Sequence, residues 1–122
     1  MAGENVGLAR KYFPLFKPVM RDGETLLTAS AAIWVAVSEA FGRGAGDGTL
    51  GVTDQRVLHL GSKLRLFEAD RVDILEISRK WIVLPGSSQL DLRVRRPSGD
   101  GSAIQSFYCG TGFSKDLLRM FR

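Results

Sequence analysis

The chain has 122 residues, 44% of them hydrophobic and 25% charged, with a formal net charge of +4. This is the size and composition of one folded domain, and it excludes a wholly disordered chain, which would have few apolar residues and a larger net charge. A single cysteine, Cys109, and a single histidine, His59, exclude an intrachain disulfide and a zinc site made from Cys and His alone.

The first residues, Met1-Ala2-Gly3-Glu4-Asn5, include an acid and no basic cluster, and no apolar run follows, so they do not read as a signal peptide. The longest apolar stretch, Ala29 to Val37, is interrupted by Ser30 and falls far short of the roughly 20 residues that span a bilayer. The expected location is cytoplasmic, with peripheral membrane association as an extension of it. Residues 1–21 mix Phe13 and Phe16 with Arg10, Lys11, Lys17 and Arg21. A short helix is expected over 5–13, limited by Pro14 and Pro18. The segment should pack Phe13 and Phe16 onto a main domain covering residues 22–122. The alternative is an arm that touches a membrane surface or a partner.

From residue 25 onward the signals are those of short strands. Thr25–Glu39 is rich in β-branched and small apolar residues, and Trp34 within it reads as core. The run 42–48 holds four glycines in seven residues and is expected to be a flexible loop; its spacing matches neither phosphate-binding glycine motif. Thr49–Thr53, Arg56–Leu60 and Lys63–Glu68 follow, joined by the two-residue links Asp54-Gln55 and Gly61-Ser62, which imply antiparallel hairpins. The β signal continues through Asp70–Lys80 and Trp81–Leu84 to a turn at Pro85-Gly86-Ser87-Ser88. Leu90, Leu92 and Val94 alternate with Asp91, Arg93 and Arg95, the pattern of a strand with one wet face. A turn over 97–101 leads to a last strand, Ala103–Cys109. The period then changes. Phe113, Leu117, Met120 and Phe121 fall on one face of a helix, with Thr111 or Ser114 available to cap its start. About seven antiparallel strands and one C-terminal helix make a mainly β protein, with the helix covering an apolar face of the sheet.

Three stretches carry a family resemblance. Asp22-Gly23-Glu24-Thr25-Leu26-Leu27 resembles the "GE" approach to a first strand. Asp47-Gly48-Thr49-Leu50-Gly51-Val52-Thr53-Asp54-Gln55-Arg56-Val57-Leu58-His59-Leu60 resembles a G-x-L-x-V-T-D-x-R hairpin. Ile74 and Ile77, followed by Trp81-Ile82-Val83-Leu84-Pro85-Gly86, fit a fifth strand and the turn after it. In these residues, spanning about Asp22 to Phe121, the chain resembles the bacterial pleckstrin-homology-like (PH-like) domains of the YokE-type and GRAM-like groups. The resemblance implies seven antiparallel strands as a barrel or orthogonal sandwich of two sheets, capped by one C-terminal helix. It also implies a binding module with no cofactor.

Thr53, Asp54 and Arg56 read as a structural turn, with Arg56 reaching back to a carboxylate such as Asp54 or to loop carbonyls. Head-group recognition by PH domains needs several cations in the loop after the first strand, and here Ser38–Gly48 carries Arg43 alone beside Glu39 and Asp47. Specific phosphoinositide binding is therefore not expected. The excess charge lies elsewhere: residues 1–61 are neutral overall, whereas 77–122 hold eight basic and three acidic residues. Alternation puts Arg93 and Arg95 on the same outward face, and Arg96 follows at the strand end. A hairpin through Pro85-Gly86 would bring Arg79, Lys80 and Trp81 alongside them. These six residues form the candidate partner surface, set against the plainer reading of a solvated sheet face. A protein partner or self-association is the first expectation and an anionic lipid surface the second. Nucleic acid is not expected, because the face lacks interleaved aromatics and the net charge is low. Cys109 and His59 lie in strand-like segments and read as packing residues, so no enzymatic activity is expected.

Overall fold

The computed structural model describes residues 10–35, 46–61, 66–81 and 86–121, the side chains of Leu66 and Trp81 excepted. Alternating apolar residues build seven strands: β1 (Leu26–Val35), β2 (Gly46–Thr53), β3 (Arg56–Gly61), β4 (Leu66–Asp70), β5 (Ile74–Trp81), β6 (Ser87–Arg95) and β7 (Ser102–Gly110). All the pairings are antiparallel, in one open sheet of order β4-β3-β2-β1-β7-β6-β5. A ladder of four residue pairs, Ala32 opposite Cys109 to Val35 opposite Ser106, joins the β4-β3-β2-β1 half to the β7-β6-β5 half.

The inner face holds the main core. Leu50, Val52, Leu90, Leu92, Phe113 and Leu117 are buried there. Trp34, His59, Phe67 and Phe107 form an aromatic group with ring centroids 5.4–6.2 Å apart. The indole N–H of Trp34 donates to Gln105 Oε1 at 2.9 Å, which lets its polar tip be buried. Helix α2 (Thr111–Met120) turns Phe113 and Leu117 into this core.

A second, smaller core lies on the opposite face. Residues 10–16 form helix α1, and Lys17–Val19 continue it as a 3-10 turn. Phe16 is fully buried with Leu26, Ala29 and Leu58. Phe13, expected to pack beside it, is 42% exposed. Pro14 falls inside the helical run and does not end it. The transition comes at Pro18, in the 3-10 turn.

Several other expectations are corrected. Gly46, Asp47 and Gly48 belong to β2 and not to a loop. At Gly48 a Cβ would collide with the Leu60 carbonyl oxygen and come within 2.7 Å of His59 Cε1, so glycine is what allows β2 and β3 to approach there. The rest of the glycine-rich run, 42–45, lies outside the described residues, as do 36–39, 62–65 and 82–85. The β signal over 70–80 is broken by a 3-10 corner, Arg71–Asp73, and a register shift between Ile74 and Glu76. The corner carries the chain from one edge strand, β4, to the other, β5. Gly110 is the N-cap of α2, and neither Thr111 nor Ser114 caps it. The two hydroxyls are used otherwise: Thr111 Oγ1 meets Ser88 Oγ at 2.9 Å and Ser114 Oγ donates to the Thr111 carbonyl.

Candidate functional site

The turn between β2 and β3 is the most densely bonded polar cluster of the chain's described part. Thr53 Oγ1 accepts from the backbone N–H groups of Gln55 and Arg56 at 3.0 Å and donates to Glu24 Oε2 at 2.6 Å. Arg56 grips Glu24 with two hydrogen bonds, Nε to Oε2 at 2.8 Å and Nη2 to Oε1 at 3.0 Å, and gives another to the Val19 carbonyl. Its Nη1 meets Glu68. The Arg56 and Glu24 side chains are 4% and 0% exposed. Arg56 thus reaches both a carboxylate and a backbone carbonyl; the carboxylate is Glu24 and not Asp54, which accepts the Thr25 N–H at 2.9 Å. Burial alone would raise the Glu24 pKa. Hydrogen bonds from Arg56, the Arg21 N–H and Thr53, together with the Arg56 charge, outweigh it and hold the carboxyl at about 2. The cluster ties the end of the 3-10 turn to β2, β3 and β4.

The β5–β6 hairpin forms, and its register sorts the candidate cations. Residues directly opposite share a face. Glu76 is opposite Arg93, Lys80 opposite Gln89 and Arg79 opposite Leu90. Lys80, Arg93 and Arg95 therefore lie on the outer face. Arg79 falls in the phase of buried Leu90, where its Nη1 reaches Ser88 Oγ at 3.5 Å. Arg96 lies beyond the strand and donates from Nε to the Ser102 carbonyl. The Trp81 side chain lies outside the description. Of the five whose side chains are described, Lys80, Arg93 and Arg95 share the outer face.

Each outer-face cation has an acid beside it. Lys80 Nζ is 3.4 Å from Asp91, Arg93 Nε 3.7 Å from Glu76, and Arg95 Nε 3.4 Å from Asp73. Asp91, nearly buried, also accepts from Ser106 Oγ at 2.7 Å and Gln89 Nε2 at 2.9 Å. Its burial would raise its pKa, but the Ser106, Gln89 and Lys80 contacts hold it below the usual carboxylate value. Ile104, opposite Arg93, and Ile33, opposite Tyr108, add apolar groups at 38% and 44% exposure on the same face. Simple alternation is enough to find the cations. Their acids follow only from the register of the hairpin, which sets Glu76 opposite Arg93.

Beside this face, a cleft of about 300 Å3 opens between the end of β4 and the β6–β7 turn. Its walls include Arg21 and Asp70, paired at 3.0 Å, together with Asp73, Arg95 and Arg96.

Cys109 and His59 are both buried in the main core. Burial pushes the Cys109 thiol up to about 12 and holds the His59 imidazole below its ordinary value. Burial thus keeps the thiol protonated, and it leaves the imidazole neutral but enclosed in the core. Among the described residues no group of three or more His, Cys, Asp or Glu is arranged to hold a metal, and no helix is long and apolar enough to cross a membrane.

No family model and no curated protein matches the chain. Solved structures do. The C-terminal domain of an unknown protein from Leishmania infantum is similar at TM-score 0.58 and 19% identity, with 94% of each chain covered. The Vps36 N-terminal PH domain is similar at TM-score 0.59 and 17% identity, covering 84% of this chain and 82% of that one. The fold is PH-like. At such identities the likeness is one of fold, and the PH-like frame carries no site residues with it. The segment that corresponds to the PH-type lipid loop, Ser38–Gly48, lies outside the described residues except for Gly46, Asp47 and Gly48 in β2.

Proposed function

We propose that this chain is a non-enzymatic PH-like binding module that acts through protein contact, using the outer face of β5, β6 and β7. One observation carries the reading: the three cations on that face each sit within 4 Å of an acid, so charge alternates across it. An anionic membrane rewards uncompensated cations, whereas a protein surface rewards alternating charge interspersed with apolar groups such as Ile33 and Ile104. The hairpin sequence from Gly48 to Arg56 supports placing the chain in the bacterial PH-like branch, and with it a cytoplasmic location.

Co-sedimentation with vesicles containing anionic lipid, at low salt, tests the choice. The expected result is that the protein stays in the supernatant. Salt-sensitive pelleting that is abolished by reversing Arg93 and Arg95 would replace this reading with the membrane one.

A further inference from the structure

Strand β5 is an edge of the sheet: among the described residues it pairs with β6 on one side and with nothing on the other. An edge of this kind presents unpaired N–H and C=O groups, and natural edges are usually blunted by charges or bulges. Here the register shift near Leu75 disrupts only the first residues, and Glu76 to Trp81 continue in regular register with β6. Along that stretch an acid, Glu76, comes first and two bases, Arg79 and Lys80, come last. A strand with acid at one end and base at the other is complementary to itself when the copy runs antiparallel.

We propose that β5 pairs with β5 of a second copy about a two-fold axis, joining two seven-stranded sheets edge to edge, with Ser78 opposite Ser78 of the second copy. The proposal rests on the reading of this chain as a protein-contact module and makes a second copy its partner.

Strand geometry fixes the register. In an antiparallel pair, opposed residues both point their backbone groups toward the partner or both away, and they share a face. In a pairing of β5 with itself, each residue must therefore face one an even number of positions away. Centring on Glu76 or on Arg79 opposes like charges across the axis. Centring on Ile77 sets Arg79 against Leu75 and Lys80 against Ile74. Centring on Ser78 places Glu76 of each chain opposite Lys80 of the other, twice, on the outer face. Both side chains are largely exposed, at 66%. They are already next to Arg93 and Asp91 of their own chains. The pairing thus completes a row of alternating charge: Arg93, Glu76, then Lys80 and Asp91 of the second copy. An isologous contact of this kind closes at two copies and does not propagate.

The expected dimer is weak, with Kd between about 10 µM and about 1 mM, because the paired stretch is short. Sedimentation velocity across that range at low salt should show a monomer–dimer equilibrium that added salt shifts toward monomer. Glu76→Lys alone and Lys80→Glu alone should each be monomeric, since each opposes like charges. Mixed together they should associate, because one chain then carries a base at both facing positions and the other an acid at both, so each opposed pair joins opposite charges. Thermal melts confirm that both fold. If a reversed variant melts early, Glu76→Gln and Lys80→Gln take its place, each expected to weaken the dimer several-fold. Wild type that stays monomeric to about 1 mM, single variants that dimerise like wild type, or a mixture that does not associate would each overturn the proposal. None of these outcomes bears on whether vesicles bind, so this pairing and the broader protein-contact reading fail separately.

Discussion

The clearest residue-scale lesson is the Glu24–Arg56 pair. Removing one member of a buried ion pair leaves the other desolvated and uncompensated. Glu24→Ala is expected to cost about 3 kcal/mol, measured by urea denaturation, with Glu68 able to take over only part of the role from its exposed position. Arg56→Lys should also destabilise, because a lysine cannot give the two parallel bonds that Nε and Nη2 give. The sequence made Thr53, Asp54 and Arg56 legible as a turn, because short polar side chains bond locally. It did not reveal which carboxylate Arg56 grips. Glu24 is 32 positions away, and only the fold brings it against Arg56.

At the scale of elements, α1 places Phe16 on the sheet over a glycine, with Tyr12 packed against the same small core. A Cβ at Gly51 would come within 2.7 Å of Phe16 Cζ and within 3.1 Å of two more ring atoms. Gly51→Ala is expected to cost about 1–3 kcal/mol by overpacking and to raise the rate of limited proteolysis near residues 10–21. Phe16→Ala should expose the same segment to protease. No change in cleavage for either variant would show that α1 is anchored by something else. Most strands were legible because alternation is local and survives folding, as Leu90, Leu92 and Val94 show. Gly46 and Gly48 were not, since their strand conformation comes from pairing with β1 and, at Gly48, from the close approach of β3, and not from their own propensity. The corner at Arg71–Asp73 was hidden for a similar reason: apolar residues on both sides of it read as one continuous run.

For the whole molecule, the buried ionisable groups set the pH range of stability. His59 Nε2 donates to the Ala32 carbonyl at 3.0 Å, and among the described residues its Nδ1 has no partner. Burial favours the neutral ring, with the hydrogen bond to Ala32 partly opposing that effect. The unfolded chain therefore takes up this proton first, and stability should fall as pH drops below 6.5. Glu24 adds a second loss, as pH falls from 4.5 toward about 2. Thermal melts across this range should show both declines in wild type. His59→Leu should remove the first decline, whatever it does to stability at neutral pH. A variant that keeps it would assign the effect to another group. On the same scale, the basic excess of residues 77–122 was legible from counting. Its neutralisation by Glu76, Asp73 and Asp91 was not, because counting along the chain ignores which residues the hairpin sets side by side.

Helix α2 is fastened at both ends. At its start, the Thr111 N–H donates to the Gly86 carbonyl at 3.0 Å and its hydroxyl meets Ser88. At its end, Arg71 of the β4–β5 corner donates to the Met120 carbonyl at 2.7 Å and stacks its guanidinium 4.5 Å from the Phe121 ring centre. A helix pinned at one end can swing like a lid and admit a guest to the core it covers. This one would have to break contacts at both ends and lift Phe113 and Leu117 out of the core at the same time. The interior of this molecule is therefore a rigid frame and not a chamber.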